Sequence, residues 1–179
     1  RRGRVVSDEY LNRLLAQKSA AYLEALQAAP KLPLYAGLED LLYQLKAAAL
    51  PLGIVTGAPA TEVQWVLEQA NLTDQFAVVV TAADLSLVED KPSRRGYDIA
   101  LHRLNQQQPG LTARPEESLA IEVSFAGIAA AKQANMPVMG VAHLYPYRMM
   151  QRQANWAVDY LNEINLDWVR RWYEPTAIA

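Results

Sequence analysis

The chain has 179 residues, 51% of them apolar, which is enough for one substantial core and a small appendage. Its 17 Lys and Arg nearly balance 19 Asp and Glu, and a formal charge of −2 gives no broad basic field for nucleic acid or anionic lipid. Having no cysteine, it has neither a disulfide framework nor a thiolate metal site, and no apolar run approaches the roughly 18 to 20 residues of a membrane span.

The basic start, RRGRVV, is not followed by an apolar stretch of signal-peptide length, and a chain without an initiator methionine is expected to be a processed or truncated product. From Ser7 to Ala29 the spacing of Tyr10, Leu11, Leu14, Leu15, Ala21, Tyr22 and Leu26 predicts a helix, with Ser7 or Asp8 as N-cap. Pro30 and Pro33 end it, and the segment from Pro30 to Gly37 reads as a hinge between an appendage and the main body. Gly37 to Ala49 is a second amphipathic helix with Leu38, Leu41, Leu42 and Leu45 on one face.

Beyond it strand and helix alternate. Leu52–Thr56 is a short buried strand, and a helix follows from about Pro59 to Ala70, with proline in its first turn. Phe76–Thr81 is a β-branched strand, Tyr97–Leu104 a helix, and NQQQPGLTARP a surface connection. Leu119–Glu122 is the next strand, Phe125–Ala134 a helix, Pro137–Val141 a strand, Trp156–Val158 an edge strand and Leu166–Tyr173 a closing helix. Such βα alternation with continuous apolar strands predicts an α/β fold, a parallel sheet covered on both faces, with ligands beyond the carboxyl ends of the strands. Three residues suited to a phosphoryl group fall there: the hydroxyl of Thr56 and the carboxylate of Glu122 at strand ends, and the ammonium of Lys91 one loop beyond a strand.

The segments PLYAGLEDLLYQL, GIVTGAP, FAVVVTAADL, DKPSRRGYDIAL, PEESLAIEVSFAGIAAAKQANMPVMGV and QANWAV, in this order over about Leu34 to Val158, resemble the haloacid dehalogenase-like (HAD) superfamily. The branch resembled is that of phosphatases and β-phosphoglucomutases with a helical cap. The resemblance implies a HAD-like, Rossmann-like core over residues 33–179 and the C-terminal part of a helical cap over residues 1–32, whose helix carries Arg13, Lys18 and Tyr22. It implies that Thr56, with the amides of Gly57 and Ala58, binds the transferring phosphoryl group, since fixed donors stabilise the charge that builds there. Lys91 would supply a compact positive charge between phosphate and nucleophile, Glu122 would help to hold Mg²⁺, and Ser124 would support the loop that starts the next helix.

Two departures from the family pattern stand out. Where the family presents two adjacent acids, the second position is Val123, which cannot bind Mg²⁺; such a loss weakens metal binding by at least the roughly 10 to 100-fold typical of outer-shell changes. Nothing before Leu34 resembles the family's strand with its nucleophilic aspartate, a strand that is central in the sheet. The expected partner is therefore an N-terminal segment, in the same or another chain, that completes the sheet. By this reading the intact protein is a cytoplasmic, Mg²⁺-dependent phosphatase or phosphomutase acting through an aspartyl-phosphate on a small phosphorylated metabolite such as a sugar phosphate, and the chain by itself is inactive.

The alternative is a non-catalytic HAD-like binding or assembly subunit. A nucleotide-binding domain is disfavoured, because no glycine-rich phosphate loop follows a strand. His102, in a helix, and His143, in a loop, read as structural. Arg94 and Arg95 read as solvated, and the aromatic group of Tyr145, Tyr147, Trp156, Trp168, Trp172 and Tyr173 as packing.

Overall fold

A computed structural model describes residues 6–86, 88–108 and 110–173. The basic start, apart from Val6, lies outside them. Helix α1 (Asp8–Ala28) is capped by Ser7, whose side chain accepts from the Tyr10 amide, and Asp8 and Glu9 favour its positive end. Only Leu26 of this helix is buried, while Tyr10, Leu14, Leu15 and Tyr22 remain exposed, so its apolar spacing does not translate into a buried stripe. Midway along, the Ser19 hydroxyl donates to the buried carboxylate of Glu62, 2.9 Å away.

Helix α2 (Leu38–Ala47) buries Leu41 and Leu42 and starts from Gly37, whose φ of 79° lies in the left-handed region. A Cβ at Gly37 would also meet the backbone nitrogen of Asn162, at 2.5 Å, so the turn needs glycine twice over. Strand β1 (Gly53–Val55) leads through the Thr56–Pro59 turn into α3 (Ala60–Gln69). Pro59 is the N-cap rather than a first-turn residue, one place earlier than expected. Strand β2 (Val78–Val80) precedes a 3₁₀ turn in which Thr81 and Asp84 cap each other, and Arg103 on α4 (Arg95–Gln107) pairs with Asp84. Strand β3 (Ala120–Glu122), α5 (Phe125–Gln133), β4 (Val138–Val141), α6 (Tyr147–Gln153), β5 (Trp156–Val158) and α7 (Leu166–Tyr173) complete the order.

All pairings are parallel, as expected, but the strands form two sheets: β1–β2, and β3–β4–β5 with β4 in the middle and β5 at an edge. Every residue of β4 is buried. The strands at the break are not: Gly53 opens β1 exposed, and Ile121 in β3 is 38% accessible. Burial on both faces is thus complete along β4 and partial at β1 and β3, whose outer edges have no strand partner among the described residues, as expected of a sheet that lacks a central strand.

Side chains of β4 alternate between two cores, as a pleat requires. Val138 joins Ala120, Ile128, Ala131 and Met150 under α5 and α6, whereas Met139 and Val141 join Leu41, Leu161 and Ile164 under α2 and α7. Gly140 lies close against α6, where a Cβ would sit 3.1 Å from that of Ala154. Trp156, Trp168 and Trp172 pack edge-on or tilted around one another, with ring centroids 4.8 to 5.7 Å apart, which docks α7 on β5. Among the described residues no helix is long and apolar enough to cross a membrane.

Candidate functional site

The ends of β1 and β3 carry the polar residues. At the end of β1 the Thr56 amide still bonds to Val80, and its Oγ1 accepts from the Ala58 amide at 3.1 Å. With its lone pair engaged by that backbone donor, the hydroxyl proton is left to point at an acceptor. Gly57 comes next, and a Cβ there would stand 2.8 Å from both carboxylate oxygens of Asp90. That close approach ties the β1 turn to the loop carrying Asp90 and Lys91; the peptide between Lys91 and Pro92 is cis.

Lys91 reaches across the break between the sheets and forms an ion pair with Glu122 Oε1 at the end of β3. Tyr97, in the first turn of α4, donates its hydroxyl to the same oxygen at 2.5 Å. Glu122 is 7% exposed at its side chain and Lys91 22%, so the carboxylate is sealed while the ammonium can still meet a ligand. Burial, and then the neighbouring carboxylate, push the Tyr97 hydroxyl far above the ordinary tyrosine range, so it stays a donor. Below the carboxylate lies Gly127, where a Cβ would overlap Glu122 outright. Ser124 caps α5 by accepting from the Gly127 amide at 3.0 Å, so the third loop is held from inside.

The structure therefore joins Lys91 directly to Glu122, and brings the Thr56–Ala58 turn against the same loop through Asp90 and Gly57. Val123 follows Glu122 with its side chain turned to the other face of the sheet, where it packs with Leu41 and Met139. His102 lies on α4 and lines a hollow that includes none of Thr56, Lys91 and Glu122, and His143 stacks edge-on against Tyr35 with centroids 4.2 Å apart. Arg94 bonds to Asp98 and the Gln133 carbonyl, and Arg95 pairs with Glu89 on the surface. Two surface hollows, one between α2 and α7 and one along α4, include none of Thr56, Lys91 and Glu122.

Tyr97 was missed as a site residue by sequence reasoning. Its signal was faint: a tyrosine six residues beyond Lys91 reads as an ordinary core residue of a helix, and only the fold shows that its hydroxyl ends on Glu122.

A model of the haloacid dehalogenase-like hydrolases matches residues 4–135. The chain belongs to this family. It is 32% identical over 127 residues to validoxylamine A 7′-phosphate phosphatase of Streptomyces hygroscopicus subsp. limoneus, covering 71% of this chain and 55% of that protein. A phosphoglycolate phosphatase of Colwellia psychrerythraea is 29% identical over 133 residues, 73% of this chain and 55% of its own length. The chain thus spans about half the length of both curated relatives. Among solved structures, β-phosphoglucomutase from Clostridium difficile superimposes with a TM-score of 0.74 at 23% identity, over 93% of this chain and 68% of that one. A HAD hydrolase from Entamoeba histolytica gives 0.74 at 20% identity, over 90% and 70%. These two likenesses establish the HAD-like, Rossmann-like α/β fold, and the relatives are phosphatases and phosphomutases by name.

Proposed function

We propose that this chain forms the phosphoryl-binding side of a phosphatase or phosphomutase whose substrate is a small phosphorylated metabolite, a sugar phosphate in particular. The observation that carries the reading is the Lys91–Glu122 pair, which spans the break between the two sheets and leaves a partly exposed ammonium on the loop whose Asp90 lies against Gly57 of the Thr56–Ala58 turn. In this reading the hydroxyl of Thr56 and the amide of Gly57 donate to phosphoryl oxygens, while the Ala58 amide, engaged by Thr56 Oγ1, orients that hydroxyl, and the amino end of α3 adds a favourable dipole. Lys91 donates to an oxygen of the same group while Glu122 fixes where it stands. A strand bearing the nucleophilic aspartate, from the same polypeptide or another chain, lies between β1 and β3 and takes the phosphoryl group as an aspartyl-phosphate. The reading places the protein in the cytoplasm, with which a cysteine-free chain agrees.

The resemblance also implies Mg²⁺, and the donor set can be tested against it. Among the described residues no group of three or more His, Cys, Asp or Glu gathers to hold a cation. Glu122 is a lone carboxylate with one oxygen already taken by Lys91 and Tyr97, whereas Mg²⁺ demands near-octahedral oxygen coordination. These residues do not fit a magnesium site by themselves. The inward packing of Val123 favours the second reading, a non-catalytic HAD-like subunit that keeps the phosphate contacts.

Two measurements test the proposal. A colorimetric phosphatase assay with Mg²⁺ should give no turnover for this chain, and turnover would overturn the assignment of the nucleophile to another strand. Calorimetric titration with inorganic phosphate should show binding that Lys91→Ala weakens at least about tenfold, the loss expected for a charge-assisted contact. Binding indifferent to Lys91, or no binding at all, would overturn the site.

A further inference from the structure

We infer that Tyr97 is a positioning residue of the phosphoryl site: by donating to Glu122 it sets how firmly Glu122 holds the ammonium of Lys91. The inference rests on the phosphate-binding reading and adds to it a residue that acts through another.

Three contacts carry it. The Tyr97 hydroxyl and the Lys91 ammonium converge on one atom, Oε1 of Glu122. The Lys91 Nζ also lies over the Tyr97 ring, 5.6 Å from its centroid, so a single side chain touches both partners of the ion pair. Tyr97 itself is 7% exposed and belongs to the larger core, packed with Ala120 and Ile128, so it cannot swing away.

A carboxylate oxygen shared by two donors divides its charge between them, and each donor weakens the hold on the other. The phenol takes part of the charge of Glu122, which leaves the ammonium, with its three donors, able to turn an N–H towards a phosphoryl oxygen. The ring face meanwhile attracts the cation and keeps it over the site. Gly127 closes the remaining direction, since the carboxylate already fills the space a Cβ would need. With the hydroxyl removed and the ring kept, Oε1 is left to Lys91 alone in a sealed environment. The pair tightens, and the ammonium becomes less available to phosphate.

The test is a double-mutant cycle read by inorganic phosphate affinity, measured calorimetrically on this chain. Tyr97→Phe is expected to weaken phosphate binding about three- to tenfold, the scale of one hydrogen bond to a charged group. In a Glu122→Gln background the same substitution should change affinity less than about twofold, because its effect passes through the carboxylate. A core tyrosine with a merely structural role predicts equal losses in both backgrounds, and that result would overturn the inference, as would an unchanged affinity in Tyr97→Phe. Should Tyr97→Phe not fold, 3-fluorotyrosine placed at position 97 keeps ring and hydroxyl while strengthening the donor. Phosphate affinity should then rise, and an unchanged or lower affinity refutes the assignment. Wild-type protein that ignores phosphate, or a Lys91→Ala variant that binds normally, overturns the phosphate site itself and the Tyr97 role with it.

Discussion

Removing Lys91 is the most direct perturbation of the pair that bridges the two sheets. In Lys91→Ala the Glu122 carboxylate, 7% exposed, loses the one cation that pairs with it among the described residues while keeping the Tyr97 hydroxyl. Breaking a buried ion pair from one side costs about 3–5 kcal/mol. The hydrogen bond that remains on the charge offsets about 1.5–3 kcal/mol of that, and water can enter where Lys91 was 22% exposed. The expected net loss is about 2 kcal/mol, which for a domain of this size lowers Tm by about 4–8 °C. Thermal melts followed by circular dichroism read this directly. The double variant Lys91→Ala, Glu122→Gln carries no stranded charge and should recover at least half of the lost Tm. If Lys91→Ala melts like the wild type, or the double variant melts lower still, then Glu122 is not a buried charge balanced by Lys91 and the reasoning is wrong.

Gly127→Ala should destabilise by about 1–3 kcal/mol in urea unfolding, because the added methyl overlaps the Glu122 carboxylate. The sign is diagnostic, since alanine in a helix otherwise gains about 1 kcal/mol over glycine. Asp84 provides a pH test. The hydrogen bond from Arg103, and then the Thr81 amide, hold its carboxyl below the usual range. An acid whose folded pKa is depressed stabilises the fold above its unfolded value and loses that contribution as pH falls through the folded one. Asp84→Asn should therefore cost about 1 kcal/mol at pH 7, and the gap to wild type should begin to narrow near the ordinary value of about pH 4 and close only as pH falls through the depressed one. A gap that stays constant between pH 7 and pH 3 would rule this out.

Most of the fold was legible because the apolar segments are short, dense and separated by polar or proline-bearing stretches. Val78–Val80 and Val138–Val141 can be little other than buried strands, and Ser7 and Ser124 mark their helices through side-chain caps the structure contains. Helix α6 was not legible: YRMMQRQ is seven residues long, buries only Met150, and offers too few turns for a period to emerge. Helix α4 runs two residues earlier and three later than its apolar core suggested, because Arg95 and Gly96 before it and Asn105, Gln106 and Gln107 after it are residues that hydrophobic spacing does not register. At the site, strand ends pointed to Thr56 and Glu122 because polar residues there interrupt apolar runs. The Lys91–Glu122 contact joins residues 31 apart, and the seat that Gly127 offers is an absence of atoms. Neither leaves a trace in spacing.

Helix α1 has the proportions of a lever arm. Its 21 residues span about 30 Å, and the Ser19–Glu62 hydrogen bond lies about 14 Å from the end that joins the body. Rotation about that junction is therefore amplified about twofold at the tip: stretching the tether by one ångström carries Asp8 through about two. Any wider displacement of α1 must first strip Glu62 of the Ser19 hydroxyl and let water reach its carboxylate, so this one hydrogen bond restrains the helix.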